Sequence, residues 1–194
     1  MINNKAKSTD KVFAEAAAGG ASQEGARGGG VFSVECYDQN GNLKWKEDSK
    51  NLVVNVGLKD MNDKYFSGVS YTATWYLGLI TGPGAGTTID PGDTMATHAG
   101  WTENTSYSQS TRPACSFGAA TTADPSVISN TASVAVFSIN GTTTIAGAFL
   151  TSNNTKGGST GILFSASDFQ SPGDRSVVSG DTLNVTYQFS LDAA

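Results

Sequence analysis

Histidine, cysteine and basic side chains are scarce in this 194-residue chain, and each scarcity removes a class of function. One histidine, His98, and two cysteines, Cys36 and Cys115, make no zinc site of recognisable spacing. His98 sits in the run Thr97-His98-Ala99-Gly100-Trp101, and no nucleophile elbow occurs to give it a hydrolytic partner. Two cysteines do not make a disulfide framework. Cys36 alternates with Phe32 and Val34, which reads as a small buried apolar residue; a Cys36–Cys115 pairing stays open. The net charge is −5, and beyond Tyr65 only Arg112, Lys156 and Arg175 are basic. Duplex binding needs clustered cations, so no direct contact with nucleic acid is expected. No run is apolar and long enough for a membrane span, and no apolar leader opens the chain. A soluble protein made in a reducing cytoplasm, without membrane contact, is the expectation.

What is abundant is Gly, Ser, Thr and Asn, a composition of strands and turns. Residues 1–30 differ from the rest. Seven Ala and six Gly fall there, and beyond Met1 the large apolar residues are Ile2, Val12 and Phe13. Such a segment has too little to bury to offset its own ordering entropy, so it reads as an extended arm that gains order on a partner. Ile2, Val12, Phe13 and Arg27 are the candidate partner-binding residues. The remaining 31–194, about 160 residues, suffice for one domain with a real core.

Within that domain, residues 31–37 and 43–47 alternate apolar and polar around Asp38-Gln39-Asn40-Gly41-Asn42, which predicts a hairpin. Residues 51–56 read as a short strand. Leu58, Met61 and Tyr65 fall at helical spacing, which predicts a helix of about two turns within 58–66. Residues 73–81 carry Trp75, Leu77 and Leu79 on one face and Tyr76 and Ile80 on the other, as a strand buried on both sides does. A second hairpin is expected where 132–139 and 142–150 flank Asn140-Gly141, with a type I′ turn. Residues 182–191 alternate without a break, placing Leu183, Val185, Tyr187, Phe189 and Leu191 on a core face. Together these predict an all-β domain, a single antiparallel β-sandwich of jelly-roll or immunoglobulin-like type with one short helix.

Several constellations suggest chemistry but have plainer readings. Asp38-x-Asn40-x-Asn42 begins like a calcium loop but has Leu43 where Gly is required and Ser49 where Glu is required, so a turn is preferred. Gly82-Pro83-Gly84-Ala85-Gly86 follows a strand but lacks the Lys and the helix of a phosphate loop. Asp90 and Asp93 could hold a hard cation, although Asp-Pro-Gly-Asp is ordinarily a turn. Trp45, Trp75, Trp101 and Tyr107 could line a sugar site, yet strand aromatics usually form core. The expectation is therefore no enzyme, no cofactor and no metal.

Six segments resemble a family of small virion structural proteins of tailed bacteriophages. They are 32–47 (FSVECYDQNGNLKWKE), 51–58 (NLVVNVGL), 75–82 (WYLGLITG), 93–103 (DTMATHAGWTE), 146–158 (AGAFLTSNNTKGG) and 175–191 (RSVVSGDTLNVTYQFSL). The resemblance covers most of the domain, omits the arm and contains no chemical motif. It implies a capsid decoration (cement) protein on the outside of the virion, made in the host cytoplasm. Its expected partners are the major capsid protein and neighbouring copies of itself, as a homo-oligomer on the particle. The alternative is a tail or head fibre attachment module that binds a host surface glycan.

Overall fold

The computed structural model describes residues 25–71, 74–81, 87–170 and 173–193. In chain order the elements are β1 (Ala26–Tyr37), β2 (Leu43–Lys50), β3 (Leu52–Val53), α1 (Asn55–Phe66), β4 (Trp75–Thr81), β5 (Thr102–Asn104) and β6 (Ala114–Cys115). Then follow β7 (Ser126–Ser129), β8 (Ala135–Ser138), β9 (Thr143–Ile145), β10 (Gly147–Thr151), β11 (Leu163–Asp168), β12 (Arg175–Val177) and β13 (Thr182–Ala193). Strands take 46% and helix 8% of the described residues, which form an all-β fold.

Two antiparallel sheets face each other. The first runs β2-β1-β13-β7, with β8 also paired to β13; the second runs β3-β11-β10-β4-β5, with β6 also on β4. Strand alternation decides which side chains meet between them. Phe32, Val34 and Cys36 from β1 and Leu183, Val185, Tyr187 and Phe189 from β13 pack on Leu77, Leu79, Ala148, Leu150 and Phe164 of the second sheet. Polar links cross the same space: Ser49 Oγ lies 2.8 Å from Ser167 Oγ, and the Tyr187 hydroxyl accepts from Asn51 Nδ2 at 2.8 Å. The outer face of the second sheet has its own apolar layer, Ile80, Phe149, Leu163 and Ala166, roofed by Val54, Met95 and Trp101. That double burial makes β4 the two-sided strand its sequence predicts.

Three expectations need correction. The first concerns the arm, which ends sooner than residue 30. Ala26–Gly30 continue β1 and pair in register with β13, from Ala26 opposite Ala193 to Gly30 opposite Phe189. The glycines that suggested an arm make room here. A Cβ on Gly30 would lie 2.7 Å from the Gln188 carbonyl oxygen and 2.8 Å from the Tyr187 hydroxyl, so only a bare backbone fits.

The second correction is the hairpin at Asn140-Gly141, which does not form. β8 pairs with β13, β9 with β12 and β10 with β4 and β11, so the chain crosses between sheets at that turn. A type I′ turn needs positive φ at both central residues, and neither Asn140 nor Gly141 has it. The first hairpin does form. Its loop is closed by Gly41 at φ 81° and by the Asp38 carboxylate, which accepts from the backbone N–H of Asn40 and Asn42. Hydrogen bonds from Asn42 hold that carboxyl below the usual range.

The third correction concerns the short strand and the helix. Only Leu52 and Val53 are strand, because α1 already begins at Asn55. The helix exists and begins three residues earlier than expected, at Asn55; of its spaced apolar residues Met61 is half-buried against the core, while Leu58 and Tyr65 are exposed. Gly57 and Asp60 are the buried positions. A Cβ on Gly57 would sit 2.3 Å from the Phe164 carbonyl oxygen, so the helix lies on β11 through bare backbone. Asp60 is neutralised within the helix by Lys64 at 2.6 Å. Leu58 and Tyr65 consequently point away from the core. Among the described residues, no helix is long and apolar enough to cross a membrane.

Candidate functional site

The catalytic and ligand candidates of the sequence are each tied into local structure. His98 stacks on Trp101, ring centroids 3.9 Å apart, and its Nδ1 is 2.9 Å from the Trp101 carbonyl oxygen. Asp93 is buried; its Oδ2 accepts from Trp101 Nε1 at 3.0 Å and from the Asp90 N–H at 3.1 Å. The two aspartates thus close a turn and anchor an indole. Among the described residues no group of three His, Cys, Asp or Glu side chains could hold a metal ion. Trp101 and Tyr107 are buried, while Trp45 and Trp75 pack at the edge of the main core, so none of the four presents an open face to a sugar. The 82–86 glycine loop lies outside the described residues, as do Ile2, Val12 and Phe13. Arg27 lies on β1, exposed, opposite Asp192 of β13.

Sequence reasoning missed a buried ionic clasp. Arg112 donates from Nε and Nη2 to the Glu103 carboxylate at 2.9 and 2.6 Å, and from Nη1 and Nη2 to the carbonyls of Asn153 and Gly158, both at 2.8 Å. Its guanidinium also lies over the Phe149 ring, 5.2 Å from the centroid. Lys156 adds a second stitch, donating to the Tyr107 and Gln109 carbonyls at 2.9 and 2.7 Å. The Glu103–Arg112 pair braces the segment 103–112, and the bonds to Asn153, Lys156 and Gly158 tie it to the 152–161 loop. The one signal in the sequence was that Arg112 and Lys156 are two of only three basic residues in a long charge-poor stretch.

The two thiols are free and buried. Burial pushes Cys115 up to about 12, and burial with the nearby Asp181 charge pushes Cys36 up to about 12, from an ordinary 9.0. A raised folded-state value means that the stabilisation is complete below pH 9 and is lost as the pH rises towards 12. Burial raises Tyr107 and Tyr187 in the same direction. We expect a thermal midpoint that stays level up to about pH 9 and falls above it, and thiols that resist iodoacetamide at pH 8 until denaturant is added. Fast labelling of the native protein at pH 8 would contradict this account.

What remains unused is surface, and one part of it is unusual. Tyr65 is 84% exposed, Phe66 78% and Tyr71 77%, with Val69 and Leu58 about half exposed, all from α1 and the five residues after it. Tyr65 and Phe66 are packed edge to face at 4.9 Å, and the Val69 N–H returns to the Asp63 carbonyl, which folds the segment against the helix end. An amphipathic helix normally spends its apolar stripe on its own core. Here the core takes Gly57 and the half-buried Met61, while Leu58, Tyr65 and Phe66 face solvent. Contiguous exposed aromatics of this kind mark contact surfaces.

The described residues form an antiparallel β-sandwich with one helix, on which Leu58, Tyr65 and Phe66 are exposed. No protein family, curated protein or solved structure matches the chain.

Proposed function

We propose that this chain is a non-enzymatic structural protein of a tailed-bacteriophage virion, a capsid decoration protein. In this reading it binds the assembled shell of the major capsid protein through its β-domain and N-terminal arm, and copies neighbour one another on the particle. The observation that carries the proposal is the outward aromatic stripe of α1 on a domain whose buried polar side chains mostly serve its own loops. A body with contact surface and no reactive constellation suits binding, not turnover. The likeness of the six segments to virion proteins supplies the setting.

The Gly/Ala-rich arm would lie across neighbouring subunits, where small residues permit close backbone approach. Its ordering cost falls at the moment of binding, so affinity per area is modest and many copies act together. Removing residues 1–24, which stops short of β1, should leave the thermal midpoint of the isolated protein nearly unchanged and lower its occupancy on the particle. Full occupancy by the truncated protein would sink the strap.

One feature favours the attachment alternative. A shallow groove of about 420 Å³ runs between the first hairpin and the start of β13, lined by Tyr37, Asp38, Gln39, Thr182 and Asn184. A tyrosine ring beside amides and a hydroxyl is glycan-binding chemistry. The groove is open, and Asp38 is already spent on its own turn, so the decoration reading is preferred.

A further inference from the structure

The outer face of the first sheet carries two short cross-strand rows beside the first hairpin. Tyr37, Thr182 and Ser138 stand side by side in one row, and Glu35, Asn184 and Val136 in the next. Pleating sets these residues against their strand neighbours Cys36, Leu183 and Phe137, which fill the core. The groove of about 420 Å³ lies over these rows, a volume within the range of small-molecule sites.

Its parts are fixed in advance of any ligand. The Tyr37 hydroxyl donates to the Glu35 carboxylate at 2.7 Å, and Lys46 Nζ stands 3.4 Å from that same carboxylate. The tyrosine ring is thereby held in one orientation, which lowers the ordering cost of binding. Two turns frame the groove, and each presents a glycine with no side chain to fill it. Gly41 has φ 81° and Gly180 φ 95°, a backbone region that favours glycine. A Cβ on Gly180 would lie 3.7 Å from the Gln39 Cβ, so the two turns stand next to each other.

The polar side chains here are unspent. Asp38 is engaged by its own turn, but Gln39, Thr182 and Asn184 make no side-chain hydrogen bond to any described residue. Two amides and a hydroxyl supply donors and acceptors together, which is what vicinal hydroxyl groups require. The flat C–H face of a pyranose ring matches the face of the tyrosine. Charge narrows the class further. Lys46 is matched by Glu35 and Lys44 by Asp181, so the Asp38 carboxylate is the surplus charge, and an anionic sugar is disfavoured.

We infer that this groove is a binding site for a neutral hexopyranose, stacked on Tyr37 and held through its hydroxyls by Gln39, Thr182 and Asn184. An open site of this size binds weakly, and many copies on one surface raise the avidity. The site belongs to the isolated domain, whether that domain is mounted on a head or a tail. It therefore goes beyond the decoration reading, and either can fail while the other stands.

The test is saturation-transfer NMR on the full-length protein with the methyl glycosides of glucose, galactose, mannose and N-acetylglucosamine, and with methyl sialoside for comparison. At least one neutral glycoside should receive saturation, and the sialoside should receive much less. A Gln39→Ala/Asn184→Ala variant changes only outward side chains and should lose most of the transfer at an unchanged thermal midpoint. Tyr37→Ala should lose it as well. No transfer to any neutral glycoside overturns the inference. Equal transfer in parent and double variant also overturns it, because the contact then lies elsewhere, as does a preference for the sialoside.

Discussion

Replacing Arg112 with Ala is expected to destabilise the domain by about 3–5 kcal/mol, the usual cost of removing one partner from a buried ion pair. Arg112 is buried and only 8% of the Glu103 side chain is exposed, so solvent can do little for the orphaned charge. Without the guanidinium, the Glu103 carboxylate keeps the Gly157 N–H at 2.8 Å and the Tyr107 hydroxyl at 3.5 Å, too few donors for a desolvated anion. The carbonyls of Asn153 and Gly158 lose their donor in the same step. Arg112→Lys should recover only part of the loss, since a point ammonium cannot reproduce the fork that meets two carboxylate oxygens and two carbonyls. Urea unfolding of Arg112→Ala, Arg112→Lys and the double variant Arg112→Met/Glu103→Leu separates the contributions. The double variant should regain much of the loss, because removing both charges removes the stranded one. An Arg112→Ala penalty under about 1 kcal/mol would mean that the pair is no more than a surface contact.

Gly147→Ala is expected to cost about 3 kcal/mol, at the upper end of overpacking penalties. Gly147 sits opposite Asp168 where β10 meets β11, and an added Cβ would lie 1.9 Å from the Ser167 carbonyl oxygen. The obstructing atom is backbone in a paired strand, so relief requires the ladder itself to shift. Gly78 offers a control. Its added Cβ would strike the Phe149 ring at 2.1 Å, and a ring can move where a carbonyl cannot. Gly78→Ala should therefore cost less than Gly147→Ala, and the reverse order in chemical denaturation would contradict the packing described.

Much of the fold was legible because alternation is a direct consequence of pleating. The period-two pattern of 182–191 placed four of its five apolar residues in the core, Leu183, Val185, Tyr187 and Phe189, and the two-sided apolarity of 75–81 located the strand with a layer on each face. Helical spacing found α1 within 58–66, but not its first turn, which begins at Asn55, nor which side docks. Periodicity shows that a stripe exists, not what it faces, and Gly57 offers no hydrophobic signal for a contact made through bare backbone. Asn140-Gly141 misled for a related reason. The dipeptide permits a type I′ turn without requiring one, and β8 found its partner in β13 across a long stretch of sequence. The Arg112–Glu103 clasp joins residues nine apart to a loop more than forty residues on, a distance over which one sequence carries no pairing information. The arm boundary failed at residues 26–30 because glycine signals a flexible tether and a close-packed strand alike.

The central claim is that the protein is a repeated part of a phage shell. A reconstruction of the virion bearing this chain tests it most directly. The account predicts density for the β-sandwich at symmetry-repeated sites over the outer face of the head. It also predicts that the helix Asn55–Phe66 is turned towards neighbouring protein and that residues 1–24 are traced across adjacent subunits. Density confined to a ring or spike at the tail, or a complete particle without the chain, would contradict it.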